Sequence, residues 1–216
     1  MTFGASIDDL FGYYSLAKSW IERSRFASEL HWQGSLSAMD FSEPDFLREY
    51  AWIVLNSGFR EAVVRKHFDY ISLCYCDWQS AREIVESGEA CITTASAVFG
   101  NIKKLRAIAY TASILDRMGF CEFKNTLIND FGFSQTLPFV GPVTAHHLAK
   151  NLGFDVAKPD RHLVRLAMRF GYKTVHEMCS AISRRTGDSL GVTDLVLWRF
   201  EEPSRVDPTL RAGGAS

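Results

Sequence analysis

Residues Leu137 to Arg165 read LPFVGPVTAHHLAKNLGFDVAKPDRHLVR, and the organisation of the chain follows from this stretch. Leu137-Pro138-Phe139-Val140-Gly141 has the composition of a tight turn between apolar segments, with Gly141 supplying either a positive φ or room for close backbone approach. Pro142 stands where a helix can begin, because the amide it lacks would have no intrahelical partner there. Val143, Ala145, Leu148, Ala149 and Leu152 follow at helical spacing, and Gly153 is placed to cap the end. After Phe154 to Lys158, Pro159-Asp160 opens a second helix with Asp160 at its N-cap. The stretch predicts hairpin, helix, loop and helix.

A turn that runs into a helix N-terminus presents unpaired amides backed by the positive end of the helix dipole, which suits one phosphate of an extended polyanion. A carboxylate one helix and one loop later can sit beside whatever that clamp holds. Leu137-Pro138-x-Val140-Gly141, then Thr144-Ala145, then Asp160 nineteen positions after Gly141, resembles the helix-hairpin-helix motif of the DNA glycosylase superfamily. The resemblance covers this stretch closely and residues 43 to 200 more loosely.

Composition is compatible with a globular enzyme. With 216 residues, 47% hydrophobic and 13% aromatic, the chain can bury a sizeable core and is not of the disordered class. No basic n-region precedes an apolar run near Met1, and no run approaches a membrane span, so neither secretion nor a membrane is expected. Cys74, Cys76, Cys91, Cys121 and Cys179 are odd in number and scattered, as free thiols of a reducing compartment would be. Cys74-x-Cys76 has no second pair at metal-ligand spacing, so no metal is predicted. The net charge of −1 leaves any nucleic-acid affinity to local patches.

Periodicity predicts helices throughout. Ile7 to Leu30 reads as one or two helices, and His31 to Ser42 as a connection. Phe46 to Leu55 is a strongly apolar helix broken by Asn56-Ser57-Gly58, with a new helix from Glu61 to about His67. Phe68 to Glu89 reads as short pieces around Trp78, followed by another helix over Ala90 to Val98. Asn101 to Met118 carries Lys103, Lys104 and Arg106 in its first turns, read either as a phosphate contact or as a solvated face. Cys121 to Phe131 leads into the hairpin. Arg161, Arg165 and Arg169 share one helix face, and with Lys150, Lys158 and Lys173 they make a basic surface. Thr174 and Glu177 have capping-box spacing before a helix from Val175 to about Arg185, and a last helix carries Leu195 to Phe200.

The expected fold is all-α, a two-lobed helical bundle with the helix-hairpin-helix motif at the cleft. Residues 1-42 are expected to pack with the C-terminal lobe, 43-200 to form the glycosylase core, and 201-216 to be a disordered tail. The resemblance implies that Asp160 is the catalytic carboxylate, stabilising positive charge on the sugar and orienting water as the base departs. It implies DNA contacts at Leu137, Phe139, Gly141, Val143 and Thr144, flanked by Lys150, Arg161 and Arg165. The resemblance makes Asn56 and Ser57 pocket candidates, and position along the chain suggests Tyr50, Trp52, Asn56, Phe59 and Trp198 as the lining around a flipped base.

Two positions depart from the superfamily pattern. Phe139 stands where many such hairpins have glycine, which alters the turn. Val143 stands where bifunctional members carry the lysine that forms a Schiff base. A monofunctional glycosylase follows, with water as nucleophile, an abasic site as product, and strand cleavage absent or weak. No iron–sulfur cluster or other cofactor is expected, beyond a monovalent cation that hairpin carbonyls hold in related enzymes. The protein is expected to act on double-stranded DNA as a cytoplasmic, bacterial-type monomer. Alternatives are an antiviral glycosylase removing hypermodified cytosine from viral DNA, a non-catalytic helix-hairpin-helix DNA-binding protein, and a lyase using Lys150.

Overall fold

The computed structural model describes residues 7–201, and all regular structure among them is helical. Short polar side chains set where helices start. Ser42 accepts from the Asp45 amide and Asp45 returns a bond to the Ser42 amide, opening α3 (Glu43–Asn56) with a capping box. The same reciprocal pair, Thr174 and Glu177, opens α11 (Val175–Thr186), as its spacing predicts. Asn101 caps α7 (Ile102–Met118), and Asp160 caps α10 (Arg161–Arg169).

The chain divides into two compact units. The first takes the described residues up to Leu36 and those from Phe154 onward. Here α1 (Ile7–Glu22) and α2 (Ala27–Ser35) pack with α12 (Leu190–Glu201), which also receives α10 and α11. Leu10, Tyr14, Ile21, Leu163, Met178 and Val196 lie in its core. Two half-buried ionic links fix it. Arg199 chelates Glu29 with both nitrogens at 2.6 and 2.7 Å, and Asp188 accepts from Tyr14 Oη at 2.7 Å and from Lys18.

The second unit spans Ser37–Gly153. It contains α3, α4 (Glu61–Cys74), α5 (Ala81–Ser87), α6 (Glu89–Ser96), α7, α8 (Phe120–Asn129) and α9 (Pro142–Asn151). The long α7 receives α3, α5 and α6, burying Leu105, Ile108, Ala112 and Leu115. Helix α4 runs a further two turns past His67, because Val64, Phe68 and Ile71 continue its apolar face. Beyond it Cys76, Asp77 and Trp78 all take positive φ, a conformation costing L-residues roughly 1–2 kcal/mol each. That left-handed turn seats the Trp78 ring between Phe68 and Tyr75, with its indole nitrogen donating to Ser72 Oγ at 2.8 Å, and its burial offsets the strain. Helix α2 extends to Ser35, past the predicted break at His31. The predicted disordered tail lies almost wholly outside the described residues.

Candidate active site

The hairpin belongs to the second unit. Six residues of 3-10 helix, Phe131–Thr136, lead to a turn in which the Val140 amide donates to the Leu137 carbonyl at 3.2 Å. Pro138 follows the first residue of that turn and Phe139 takes φ 63°, the pattern of a type II turn whose third position ordinarily favours glycine. Of the two roles open to Gly141, the positive φ thus falls instead two residues earlier, on a phenylalanine. Gly141 is extended, with φ −90° and ψ −179°, and among the described residues nothing beyond its chain neighbours lies within 4 Å of where a Cβ would be. That open space leaves room for an outside group. Pro142 occupies the first turn of α9, and no side chain caps this helix, so the amides of Val143 and Thr144 have no side-chain acceptor.

Packing fixes the hairpin from behind. Tyr50 Oη donates to the Pro138 carbonyl at 2.8 Å, and Asn151 of α9 donates to Glu49 of α3 at 2.8 Å. Burial pushes the Glu49 carboxyl above its ordinary range. Tyr50 is completely buried, which corrects its assignment to the base pocket: it supports the hairpin instead. Trp52 is half-buried, lying edge-on to Phe68 at 5.0 Å with the Arg65 guanidinium over its ring. Leu137 is buried, which takes it off the predicted DNA-contact surface, and Lys150 is buried as well, which removes it from the predicted basic surface. Phe139 and Val143 remain exposed.

At the end of α3, Asn56 Nδ2 donates to the Trp52 carbonyl at 2.9 Å, and the chain turns through Ser57 and Gly58 to an exposed Phe59. Lys104, read from sequence as phosphate contact or solvated face, is neither. It is 3% exposed, and its ammonium donates to the carbonyls of Val54 at 2.6 Å, Leu55 at 3.0 Å and Ser57. All three protons are thus spent on the C-terminus of α3, where the dipole favours a cation. Burial lowers its pKa to about 8. The same nitrogen lies 4.8 Å from the Phe59 ring centroid and 5.8 Å from that of Phe139. No spacing in the sequence announces this link, since it joins three segments far apart along the chain.

Asp160 belongs to the first unit. Its Oδ1 accepts from the amides of His162 at 2.9 Å and Leu163 at 3.0 Å, which locks the carboxylate. Its Oδ2 makes no hydrogen bond among the described residues. The backbone before it is held in turn, because the Lys158 amide donates to the buried Asp194 at 2.7 Å. Arg161 and Arg165 are exposed, whereas Arg169 stacks over Tyr13 and Phe170. Trp198 is packed against the core of this unit with the Arg199 guanidinium over its ring. The predicted site residues thus fall on both units: Asp160, the arginines and Trp198 on one, and the hairpin, α9 and the end of α3 on the other. No group of three or more His, Cys, Asp or Glu among the described residues could hold a metal, and no described helix is long and apolar enough to cross a membrane.

A crystal structure of the Methanocaldococcus jannaschii 8-oxoguanine glycosylase/lyase, in complex with a 15mer DNA containing 8-oxoguanine, matches this chain at a TM-score of 0.56. The match covers 89% of this chain and 100% of that one, at 17% sequence identity. The chain has the fold of that enzyme. The all-α fold predicted from the hairpin is therefore found. By sequence, 76 residues are 34% identical to the 8-oxoguanine DNA glycosylase/AP lyase of Korarchaeum cryptofilum, a match over 29% of this chain and 36% of the relative. The chain thus spans about a third of the length of the curated relative it matches. No protein-family model matches the chain.

That relative corrects one expectation. Val143 led to strand cleavage being expected absent or weak, yet the relative is named for abasic-site lyase activity. Schiff-base chemistry requires an amine that reaches the sugar, from whatever position supplies it, so a valine at one position does not exclude it.

Proposed function

We propose that this chain is a DNA glycosylase that binds duplex DNA, extrudes a damaged or modified base and cleaves its N-glycosidic bond with Asp160 as the essential carboxylate. The observation that carries this reading is the state of Asp160. Two backbone amides hold one oxygen while the other is uncommitted, so the carboxylate is both fixed and available.

Departure of a base leaves positive charge on the sugar, as in glycoside hydrolysis. A carboxylate held rigidly beside that sugar stabilises the charge without having to reorganise, and its free oxygen can take a proton from the attacking nucleophile. The uncapped first turn of α9, beside the open Gly141, supplies amides for a DNA phosphate. Exposed Arg161 and Arg165 add sequence-neutral backbone affinity. An oxidised purine is the first substrate class to examine, because both similar enzymes are named for 8-oxoguanine.

The test is base release from a panel of duplexes carrying 8-oxoguanine, uracil, alkylated bases or glucosylated cytosine, with wild type beside Asp160→Asn. Alkali reveals abasic sites, and untreated samples with borohydride trapping reveal any lyase step. Release of one base by wild type alone supports the reading. Binding by both proteins with no release from any duplex overturns it in favour of a DNA-binding module, and release of glucosylated cytosine alone would assign the activity to defence against modified viral DNA.

A further inference from the structure

We infer that Phe139 and Phe59, held from behind by Lys104, form a stacking surface for an unpaired nucleobase, carried entirely by the second unit. This rests on the DNA reading above. Phe59 is 43% exposed and Phe139 41%, which is unusual for two phenylalanines in a unit that buries Phe46, Phe68, Phe99 and Phe123. Neither ring is loose. Phe59 packs on the buried Phe99 at 5.2 Å, and the Lys104 ammonium lies within 6 Å of both ring centroids. Phe139 is placed there against its own backbone preference, at φ 63°, where glycine would be free of strain.

The chemistry around the rings selects the occupant. A purely apolar partner would leave unanswered the uncapped helix amides next along the hairpin, which attract an anion. A nucleotide offers a flat π-face for the rings and a phosphate for the amides. Aromatic side chains accept any base by stacking, so the surface favours unpaired over paired DNA without reading sequence. Lys104 touches no DNA in this arrangement. It is a positioning residue that ties the Asn56–Phe59 turn to the hairpin.

The experiment compares binding of two duplexes, one fully paired and one with a single-base bulge, in an Asp160→Asn background that prevents turnover. The protein with both rings should prefer the bulged duplex by about 10-fold, and Phe139→Gly or Phe59→Leu should each erase most of that preference. Phe139→Gly suits the turn and should fold. Phe139→Leu, which keeps a Cβ and apolar volume, serves as a second variant with the same expected loss. Lys104→Met should reduce the preference when both rings are present and do nothing more once Phe139→Gly is made, whereas a merely structural loss would add. An unchanged preference in Phe139→Gly and Phe139→Leu overturns the inference. Failure to bind either duplex overturns it together with the DNA reading. A bulge preference that Phe139→Gly removes, in a protein that releases no base, leaves the stacking surface standing and the glycosylase reading fallen.

Discussion

Helices α9 and α10 begin in the same way locally, each after an extended residue, and yet their N-termini are chemically opposite. Before α9 stands Gly141, which has no side chain to offer, so the first amides and the positive end of the dipole are left for an outside anion. Before α10 stands Asp160, whose carboxylate satisfies two amides and neutralises that end while keeping one oxygen in reserve. One terminus has first amides that no side chain caps, and the other has bound an anion of its own chain. The C-terminus of α3 completes the contrast, since there a buried ammonium from α7 satisfies three carbonyls. What a helix end can do is decided by whether its cap is supplied within the chain.

Replacing the cap without the charge tests this most severely. Asp160→Asn should lower base release by about 10²–10⁴-fold with little change in Tm, since asparagine caps about as well as aspartate. Unchanged release would reduce Asp160 to a structural cap. Next in size is Lys104→Met, expected to cost about 1–3 kcal/mol in urea unfolding at pH 7 by leaving carbonyls at the α3 terminus unsatisfied. That difference has a pH signature. The folded pKa of about 8 lies below the ordinary 10.5, so above pH 8 the unfolded chain holds a proton that the folded chain has released. Wild type should therefore gain stability relative to Lys104→Met as pH rises from about 8 to about 10.5, and a flat difference would show that the amine does not titrate in that window.

Smaller effects sharpen the contrast. Gly141→Asp, accommodated by the extended backbone and the open space around it, should convert the α9 terminus into one like that of α10. Thermal melting should report about 1 kcal/mol of added stability, and duplex affinity should fall about 10-fold through loss of the anion site. Stronger or equal binding would show that no phosphate lies there. Smallest of all, Arg165→Ala should reduce the salt dependence of duplex binding by about one unit of slope, and an unaltered slope would take this arginine off the DNA path.

The helices were legible because their caps and apolar periods are local. Pro142 at the start of α9, Asp160 before α10, and the Thr174–Glu177 box all act within four residues, so short-range chemistry suffices to place them. The candidate pocket was less legible, because sequence position does not say which way a side chain of a core helix points. Tyr50 and Trp52 are two apart on α3, and both belong to packing that their numbers did not reveal.

By itself the sequence determined the hairpin, the helix that follows it, the capped aspartate and, through these, an all-helical fold. Tertiary structure alone decided which hairpin residue takes the left-handed backbone, why Lys104 is inside, and that Lys150 cannot be a surface cation. The reason is physical. Caps and turns are satisfied by neighbours in the chain, whereas burial, cation–π contact and the completion of another helix's carbonyls depend on segments about 35 to 50 residues away.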